Sequence, residues 1–272
     1  MAISAATSVC AIVLHPAGHT RSPAMHNTAF AAMGIDAVYV AFDVPPAALD
    51  GAIAGARALG IRQLAVSLPH KEAVLPLLDD VDETARAIGA VNTVTRVDGR
   101  LVGSNTDWLG AVRALERATS LAGAEAVVLG AGGTARAATF GLLERGARVT
   151  VLNRTPAKAE ALARDLGAHD AGPLASLAGR EFGVLVNTTS VGLGSDASPV
   201  PAGAHRRGSV VMDAVYQPAR TRLLADAEAA GAIAVGGKWM LVLQAAEQIR
   251  LWTGRDAPLD AMAEAFDRAG TG

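Results

Sequence analysis

A glycine-rich stretch near the middle of the sequence carries the clearest chemical signal. Residues 126–129 form a short apolar run, and Gly130-Ala131-Gly132-Gly133-Thr134-Ala135 follows with the spacing G-x-G-x-x-A. In this pattern Gly130 permits a tight turn, Gly132 lets the backbone approach a pyrophosphate, and Ala135 lets the next helix pack on its strand. The N-terminus of that helix offers N–H groups and a partial positive charge to phosphates. A turn without a ligand is the alternative, but the strand–turn–helix order favours a dinucleotide site.

The next predicted strand, residues 148–152, ends in side chains that would select the form of the dinucleotide. A site for NAD usually has an acidic residue here to hold the ribose 2′-hydroxyl, and this sequence has none. Asn153-Arg154-Thr155 and Lys158 instead supply two cations and a hydroxyl. Such a set suits the additional 2′-phosphate of NADP. The sequence therefore predicts NADP as the cofactor.

Lys71 and Asp107 are the candidates for proton transfer. Lys71 lies in Ser67-Leu68-Pro69-His70-Lys71-Glu72, after a predicted strand, and open α/β sheets bind ligands at the carboxyl ends of strands. We expect a helix to start there and to carry Lys71 in its first turn, where the helix dipole disfavours a charged lysine. A solvated surface lysine is the alternative. Asp107 ends a polar cluster at another predicted helix start, where simple capping is the alternative.

Two hydroxyl groups, on Thr20 and Ser22, predict a site for a carboxylate. Ser22-Pro23 is typical of a helix start, with Ser22 as the N-cap and Pro23 as the first helical residue. The N-terminus of a helix favours an anion. Capping alone explains Ser22, but it does not explain Thr20 or the flanking His15 and His19.

The elements that position these residues alternate between strand and helix, as in an α/β layer fold. Strands are predicted at residues 9–14, 38–44, 63–68, 126–129, 148–152, 182–186, 210–215 and 232–235. Helices are predicted at residues 22–34, 47–59, 108–117, 221–230, 244–252 and 259–269, besides the one after the glycine turn. The small and polar residues 192–201 predict a mobile loop.

The composition restricts the class of protein further. The 272 residues are 51% hydrophobic but only 4% aromatic, which suits helices packed on a parallel sheet. A net charge of −2 provides no general basic field for nucleic acid. Cys10 is the only cysteine, so no internal disulfide and no cysteine zinc site is expected. The sequence has no apolar run of membrane-spanning length and no basic leader, so we expect a cytoplasmic protein.

The motifs together resemble those of the shikimate dehydrogenase family, including its quinate/shikimate dehydrogenase branch. The resemblance extends from about residue 15 to residue 254. It rests on Ser22-Pro23 with His26-Asn27, Ser67-Leu68-Pro69-His70-Lys71, Gly89-Ala90-Val91-Asn92-Thr93, Asn105-Thr106-Asp107, Gly130-Ala131-Gly132-Gly133, Asn153-Arg154-Thr155, Asp213 to Tyr216, and Met240-Leu241-Val242 with Gln244-Ala245-Ala246.

This resemblance implies an α/β enzyme with an N-terminal substrate domain (1–108) and a Rossmann-type NADP-binding domain (109–237). The C-terminal helices (238–272) are expected to return to the substrate domain. The implied reaction is the reversible NADP-dependent reduction of 3-dehydroshikimate to shikimate, which belongs to chorismate and aromatic amino acid biosynthesis. A small cyclic hydroxy acid is the implied partner of a monomer or homodimer, and no metal is expected.

The resemblance also assigns functions to individual residues. Lys71 is implied to act as acid and base together with Asp107. The implied substrate-binding residues are Thr20, Ser22, Ser67, Asn92, Tyr216 and Gln244. The implied NADP-binding residues are Glu83, Gly130, Ala131, Gly132, Gly133, Thr134, Asn153, Arg154, Thr155, Lys158, Thr188, Thr189, Ser190, Ala214, Gly237 and Met240.

Two departures from the family pattern affect the choice of substrate. Thr20 replaces a serine and adds a methyl group beside the expected carboxylate. Trp239 replaces a glycine close to the nicotinamide, so the indole must turn away or reshape the pocket. We expect a restricted pocket, because such a glycine normally marks close approach of the backbone to a ligand. A different cyclic hydroxy acid substrate, or a weakly catalytic NADP-binding sensor, is the alternative function, and the presence of both Lys71 and Asp107 favours an enzyme.

Overall fold

A computed structural model describes residues 3–270, which divide into two compact units. One unit contains the described residues up to Thr106 together with those from Val242 onward. The other unit runs from Asp107 to Leu241. The chain therefore leaves the first unit once and returns to it near its C-terminal end.

The first unit is built on a mixed sheet of six strands, in the order β2-β1-β3-β5-β6-β4. β1 is parallel to β2 and β3, whereas β5 is antiparallel to β3 and β6. Residues 10–14 of β1 are all buried, which is the pattern of a strand covered on both faces. The strands are β1 (Ser8–Leu14), β2 (Ala37–Asp43), β3 (Gln63–Val66), β4 (Asp80–Val81), β5 (Thr93–Val97) and β6 (Arg100–Ser104). The helices before Thr106 are α1 (Ser22–Met33), α2 (Leu49–Ala58) and α3 (Glu83–Ile88).

The second unit is built on a six-stranded sheet in which every neighbouring pair is parallel, in the order β12-β11-β10-β7-β8-β9. Counted within this unit and from the other edge, the order is 3-2-1-4-5-6, which defines the Rossmann fold. The strands are β7 (Glu125–Leu129), β8 (Arg148–Asn153), β9 (Asp170–Pro173), β10 (Val184–Asn187), β11 (Val210–Asp213) and β12 (Ile233–Val235). The helices are α4 (Asp107–Glu116), α5 (Gly133–Glu144), α6 (Pro156–Leu166) and α7 (Arg222–Ala229).

Two helices complete the chain. α8 (Gly237–Thr253) begins in the second unit and ends in the first, and α9 (Leu259–Arg268) packs against α1. We predicted the start of α8 seven residues too late, because Gly237 lies inside the helix rather than in the loop before it. No helix among residues 3–270 is long and apolar enough to cross a membrane. The same residues contain no group of three or more His, Cys, Asp and Glu side chains that could hold a metal ion.

Candidate active site

The glycine turn joins β7 to α5 in the predicted order. Gly130 has φ +118°, which L side chains rarely adopt. A Cβ atom on Gly130 would also lie 2.6 Å from Thr188 Oγ1, and this hydroxyl donates a 2.7 Å hydrogen bond to the Leu129 carbonyl. Conformation and space therefore both require glycine. α5 begins at Gly133 with an extended Gly132 as its N-cap, so the positive end of the helix dipole faces the turn.

This turn lies where the strand order of the sheet reverses, since β8 and β10 extend from opposite sides of β7. Such a reversal is where open α/β sheets bind ligands. Asn187 ends β10 and fixes the segment that follows. Its Oδ1 atom accepts hydrogen bonds from the Thr189 N–H (3.0 Å) and the Thr189 hydroxyl (2.7 Å). The predicted NADP residues Thr188, Thr189 and Ser190 therefore adjoin the glycine turn in a defined conformation.

Asp213, the last residue of β11, connects three segments of the second unit. Its carboxylate accepts hydrogen bonds from Asn187 Nδ2 (2.9 Å), the Thr221 hydroxyl (2.7 Å) and the Val215 N–H (3.0 Å). Burial raises the pKa of the Asp213 carboxyl, and these three donors oppose that effect. The bonds fix the backbone on both sides of Ala214, a predicted NADP residue.

The candidates for the 2′-phosphate follow β8. Arg154, Thr155 and Lys158 are all exposed. Asn153 Nδ2 donates a 3.1 Å hydrogen bond to the Thr155 carbonyl, which shapes the turn into α6. Exposed cations beside a strand end can bind a phosphate without first losing a buried partner. The residues present therefore fit NADP.

A close backbone contact fixes the start of α8. A Cβ atom on Gly237 would lie 2.6 Å from the Ala214 carbonyl oxygen, so a larger residue would force the two segments apart. Met240, the next predicted NADP residue on this helix, is buried.

The Trp239 side chain turns toward the end of α4. The guanidinium carbon of Arg117 lies 4.0 Å from the indole centroid and Lys238 Nζ lies 5.6 Å from it, both within cation–π range. Arg117 follows the last residue of α4, and Asp107 is the first residue of that ten-residue helix. Ten helical residues span about 15 Å. The contact with Arg117 favours an indole that turns away, and the restricted pocket stays a prediction that the Trp239→Gly variant tests.

In the first unit, Thr20 and Ser22 lie at the start of α1, but the predicted N-cap is wrong. Arg21 occupies the N-cap position without a side-chain capping bond, and Ser22 is the first helical residue. A long-range contact holds Arg21 there, since its guanidinium lies 4.4 Å from the Phe266 ring centroid and donates a 3.3 Å hydrogen bond to the Phe266 carbonyl. Thr20 Oγ1 accepts a 3.3 Å hydrogen bond from the Ser22 N–H. Both hydroxyls are therefore at the helix N-terminus, as predicted.

The motif residues His26 and Asn27 stabilise α1 against β2. Asn27 pairs with the backbone of Tyr39 through two hydrogen bonds of 2.9 and 2.8 Å. His26 is fully buried, stacks on the Tyr39 ring at 3.9 Å and donates from Nδ1 to the Ser22 carbonyl (2.9 Å). These two residues are structural parts of the motif.

Lys71 lies in a turn after β3, and the helix predicted there is absent. Residues 71–74 form turns, and the next regular element is the short 3-10 helix Leu75–Leu77. The His70 ring donates a 2.7 Å hydrogen bond to the Val44 carbonyl, and the Lys71 carbonyl accepts a 2.8 Å bond from the Val91 N–H. These contacts with distant residues determine the turn, so the helix-dipole argument does not apply to Lys71. Its side chain is half-buried, as is that of Ser67.

Asn92 and Gln244, two predicted substrate residues, are in direct contact in the first unit. Asn92 Nδ2 donates a 3.3 Å hydrogen bond to Gln244 Oε1, and both side chains are buried. Asn92 Oδ1 accepts a 2.8 Å hydrogen bond from the N–H of Thr106. The residue before β5, the residue before α4 and the middle of α8 thus supply one polar cluster.

The other predicted site residues are distributed over both units. Asp107 is buried at the start of α4, and Tyr216 is half-buried after β11. Glu83 is exposed in the first turn of α3, in the first unit.

Sequence reasoning missed several residues that fix the site. Gln63, Thr93 and Gln248 are buried polar side chains behind Asn92 and Gln244, and we assigned no function to them. Of these three residues, the sequence offers a signal for Gln248, because it lies four residues after Gln244 and therefore on the same face of α8.

A parallel sheet with a glycine turn at its switch point, joined to a second α/β unit with a buried polar cluster, defines a nicotinamide-dependent dehydrogenase of two domains. Three family models match the chain. They are the shikimate dehydrogenase substrate binding domain (residues 12–94), shikimate/quinate 5-dehydrogenase (113–191) and the shikimate 5′-dehydrogenase C-terminal domain (237–265).

Individual relatives match over nearly the full length. The shikimate dehydrogenase (NADP(+)) of Methanothermobacter thermautotrophicus is 48% identical over 98% of each chain. The enzyme of the same name from Thermococcus kodakarensis is 50% identical over 92% of each chain. The structure of shikimate 5-dehydrogenase from Thermus thermophilus, in complex with NADP(H) and shikimate, is 43% identical with a TM-score of 0.90, covering 97% of this chain and 100% of that one. The chain belongs to the shikimate dehydrogenase family.

Proposed function

We propose that this protein catalyses the reversible, NADP-dependent interconversion of shikimate and 3-dehydroshikimate. The observation that carries the proposal is the similarity to a structure that contains both NADP(H) and shikimate, because it extends over 97% of this chain and includes both units.

NADP supplies hydride exchange at its nicotinamide when it is bound. Gly130 and the N-terminus of α5 would hold its pyrophosphate, and Arg154, Thr155 and Lys158 would hold its 2′-phosphate. Thr188, Thr189, Ser190, Ala214, Gly237 and Met240 would complete the contacts of the second unit, and Glu83 would add one from the first.

Lys71 is the proposed acid and base. In the reducing direction its ammonium group donates a proton to the carbonyl oxygen of the substrate, and in the oxidising direction its neutral amine accepts the hydroxyl proton. Asp107 orients this exchange. An acid–base group and a group that orients it suit hydride transfer at a secondary alcohol, because the proton and the hydride are exchanged at different atoms of the substrate.

The hydroxyls of Thr20 and Ser22 are the proposed ligands of the substrate carboxylate. Thr20 Oγ1 accepts the Ser22 N–H, so its own hydrogen can point toward an anion at the start of α1. Ser67, Asn92, Tyr216 and Gln244 would bind the ring hydroxyls.

We further propose that the substrate domain comprises residues 1–108 with 238–272, that residues 109–237 bind NADP, and that the protein is a cytoplasmic monomer or homodimer. The family model that matches residues 113–191 is described as shikimate/quinate 5-dehydrogenase, which makes quinate, a related cyclic hydroxy acid, the second substrate to test.

Steady-state assays with shikimate and quinate, each with NADP⁺ and NAD⁺, test the function directly. We expect the highest kcat/KM for shikimate with NADP⁺. Lys71→Ala, purified in the same way, is the control for a contaminating host dehydrogenase. A wild-type protein no more active than this variant would contradict the proposal, and a preference for quinate would transfer the activity to the second substrate.

A further inference from the structure

A line of buried polar side chains continues behind the proposed substrate residues of the first unit. Thr93 is fully buried, and Gln63 and Gln248 are each 2% exposed. Burying an amide or a hydroxyl is unfavourable unless it is hydrogen-bonded. Each of these groups is bonded, and the bonds lead to Asn92.

Along this series of hydrogen bonds, each bond has a defined donor and a defined acceptor. Gln248 Nε2 donates to Thr93 Oγ1 (3.0 Å) and to the Asn92 carbonyl (3.3 Å). Because Thr93 Oγ1 accepts from Gln248, its own hydrogen is directed to Asn92 Oδ1 at 2.7 Å. Asn92 Oδ1 also accepts the Thr106 N–H.

The two closest donors on Asn92 Oδ1, the Thr93 hydroxyl (2.7 Å) and the Thr106 N–H (2.8 Å), determine which way the Asn92 amide faces, and the Thr106 hydroxyl lies farther away at 3.3 Å. The Nδ2 atom then donates to Gln244 Oε1 (3.3 Å) and to the Thr106 hydroxyl (3.0 Å). Gln244 therefore uses its oxygen toward Asn92, and its Nε2 atom is turned away from Asn92. An amide whose oxygen is engaged in this way presents a donor on its other side.

Gln63 ties this arrangement to the sheet. Its Nε2 atom donates to the backbone carbonyl of Gln248 (2.8 Å) and to the hydroxyl of Thr95 (3.1 Å). The bond to the backbone sets the position of α8 along the sheet, and Gln244 lies one helical turn before this anchor.

We propose that Gln248 and Thr93 are positioning residues, which fix the Asn92 and Gln244 amides in the orientation that binds the substrate. This inference rests on the proposed function and extends it to residues that do not touch the substrate. Without the Gln248 donor, the Thr93 hydrogen is not committed to Asn92. Asn92 Oδ1 then keeps only the Thr106 N–H as a close donor, so the orientation of both amides is held less firmly.

The test compares Thr93→Val, which removes the hydroxyl at nearly constant shape, with Thr93→Ser, which retains it. We expect Thr93→Val to raise the KM for shikimate by about 2- to 10-fold, the range for loss of one neutral hydrogen bond. The KM for NADP⁺ should remain within about 2-fold, and Thr93→Ser should restore the KM for shikimate to within about 2-fold of wild type. Gln248→Met should resemble Thr93→Val, and the double variant should be no worse than the worse single variant, because both act through one line of bonds.

The outcomes separate this inference from the proposed function. A wild-type protein that does not oxidise shikimate overturns the proposed function, and the inference with it. An active wild type with an unchanged KM for shikimate in Thr93→Val overturns the inference alone. An equal rise of both KM values, or equal effects of valine and serine at position 93, would show a merely structural function for Thr93. If Gln248→Met does not fold, the Thr93 pair still decides.

Discussion

Replacing His26 is expected to remove part of the protein's sensitivity to acid. Its ring is fully buried, stacks on Tyr39 and lies edge-on to Phe30, with centroids 6.1 Å apart. Burial lowers the pKa of His26 from 6.5 to about 4, against the opposing effects of the Ser22 carbonyl and the Gln248 side chain. The neighbouring Tyr39 and Cys10 are neutral in this range, since the ordinary pKa values of a phenol and a thiol lie above it and burial raises the pKa of both groups further.

The direction of the pH dependence follows from which state of the protein, folded or unfolded, binds the proton. Between pH 6.5 and about 4 the unfolded chain binds a proton at His26 and the folded chain does not, so the free energy of unfolding falls as the pH falls. The contribution of His26 is complete above pH 6.5 and is lost toward pH 4. For these two pKa values, the loss between about pH 7 and about pH 5 is about 2 kcal/mol.

The measurement is the free energy of unfolding in urea at about pH 7 and about pH 5, for the wild type and for His26→Phe. The variant loses the Ser22 hydrogen bond and is expected to be less stable at neutral pH. The informative quantity is the change with pH, which should be smaller than that of the wild type by about 2 kcal/mol. Tyr39→Phe is the matched control, because it keeps His26 and its stacked ring and should keep the wild-type pH dependence.

Two results would refute this reasoning. One is an unchanged pH dependence in His26→Phe. The other is an imidazole titration, followed by NMR of the ring C–H groups, in which His26 of the folded protein protonates at its ordinary value.

Three further predictions concern the site. Arg154→Ala should weaken NADP⁺ binding by about 1.5–3 kcal/mol, as for loss of a hydrogen bond to a charged group, with little effect on NAD⁺; titration calorimetry with both cofactors measures this, and equal losses would contradict a 2′-phosphate contact. Lys71→Ala should lower kcat by about 10²- to 10⁴-fold, as for loss of a general acid or base, and a change in KM alone would make Lys71 a binding residue. Trp239→Gly should leave kcat/KM for shikimate within a few-fold in steady-state assays and lower the Tm, since the Arg117 contact is lost, whereas a large gain in kcat/KM would support the restricted pocket.

The parts of the fold that the sequence predicts are those set by neighbouring residues. The apolar run before Gly130 predicts β7, and the glycine spacing predicts the turn, because the positive φ of Gly130 is a local requirement. The end of β8 and the exposed cations that follow it are likewise predicted from neighbouring residues. The names of the relatives include NADP, which supports the cofactor predicted from these residues.

The errors arise where distant residues decide the structure. Ser22 has the sequence of an N-cap, but Arg21 takes that position while it contacts Phe266, 245 residues away. Lys71 follows a strand, but the His70 bond to Val44 helps to hold a turn there. Gln63 and Gln248 are 185 residues apart in sequence, so no local pattern connects them.

The division of the chain also has a consequence for synthesis on the ribosome. The first unit includes the residues from Val242 onward, and the side of α1 that packs against α9, together with the Arg21 contact to Phe266, is completed only when α9 is made. The second unit is complete as soon as Leu241 has emerged. Domains usually fold in the order in which they are translated, but here an earlier segment must wait for a later one. The nascent N-terminal half therefore exposes the α9-binding face of α1 for most of translation, and the Rossmann unit is the first part of this protein that can reach its native state.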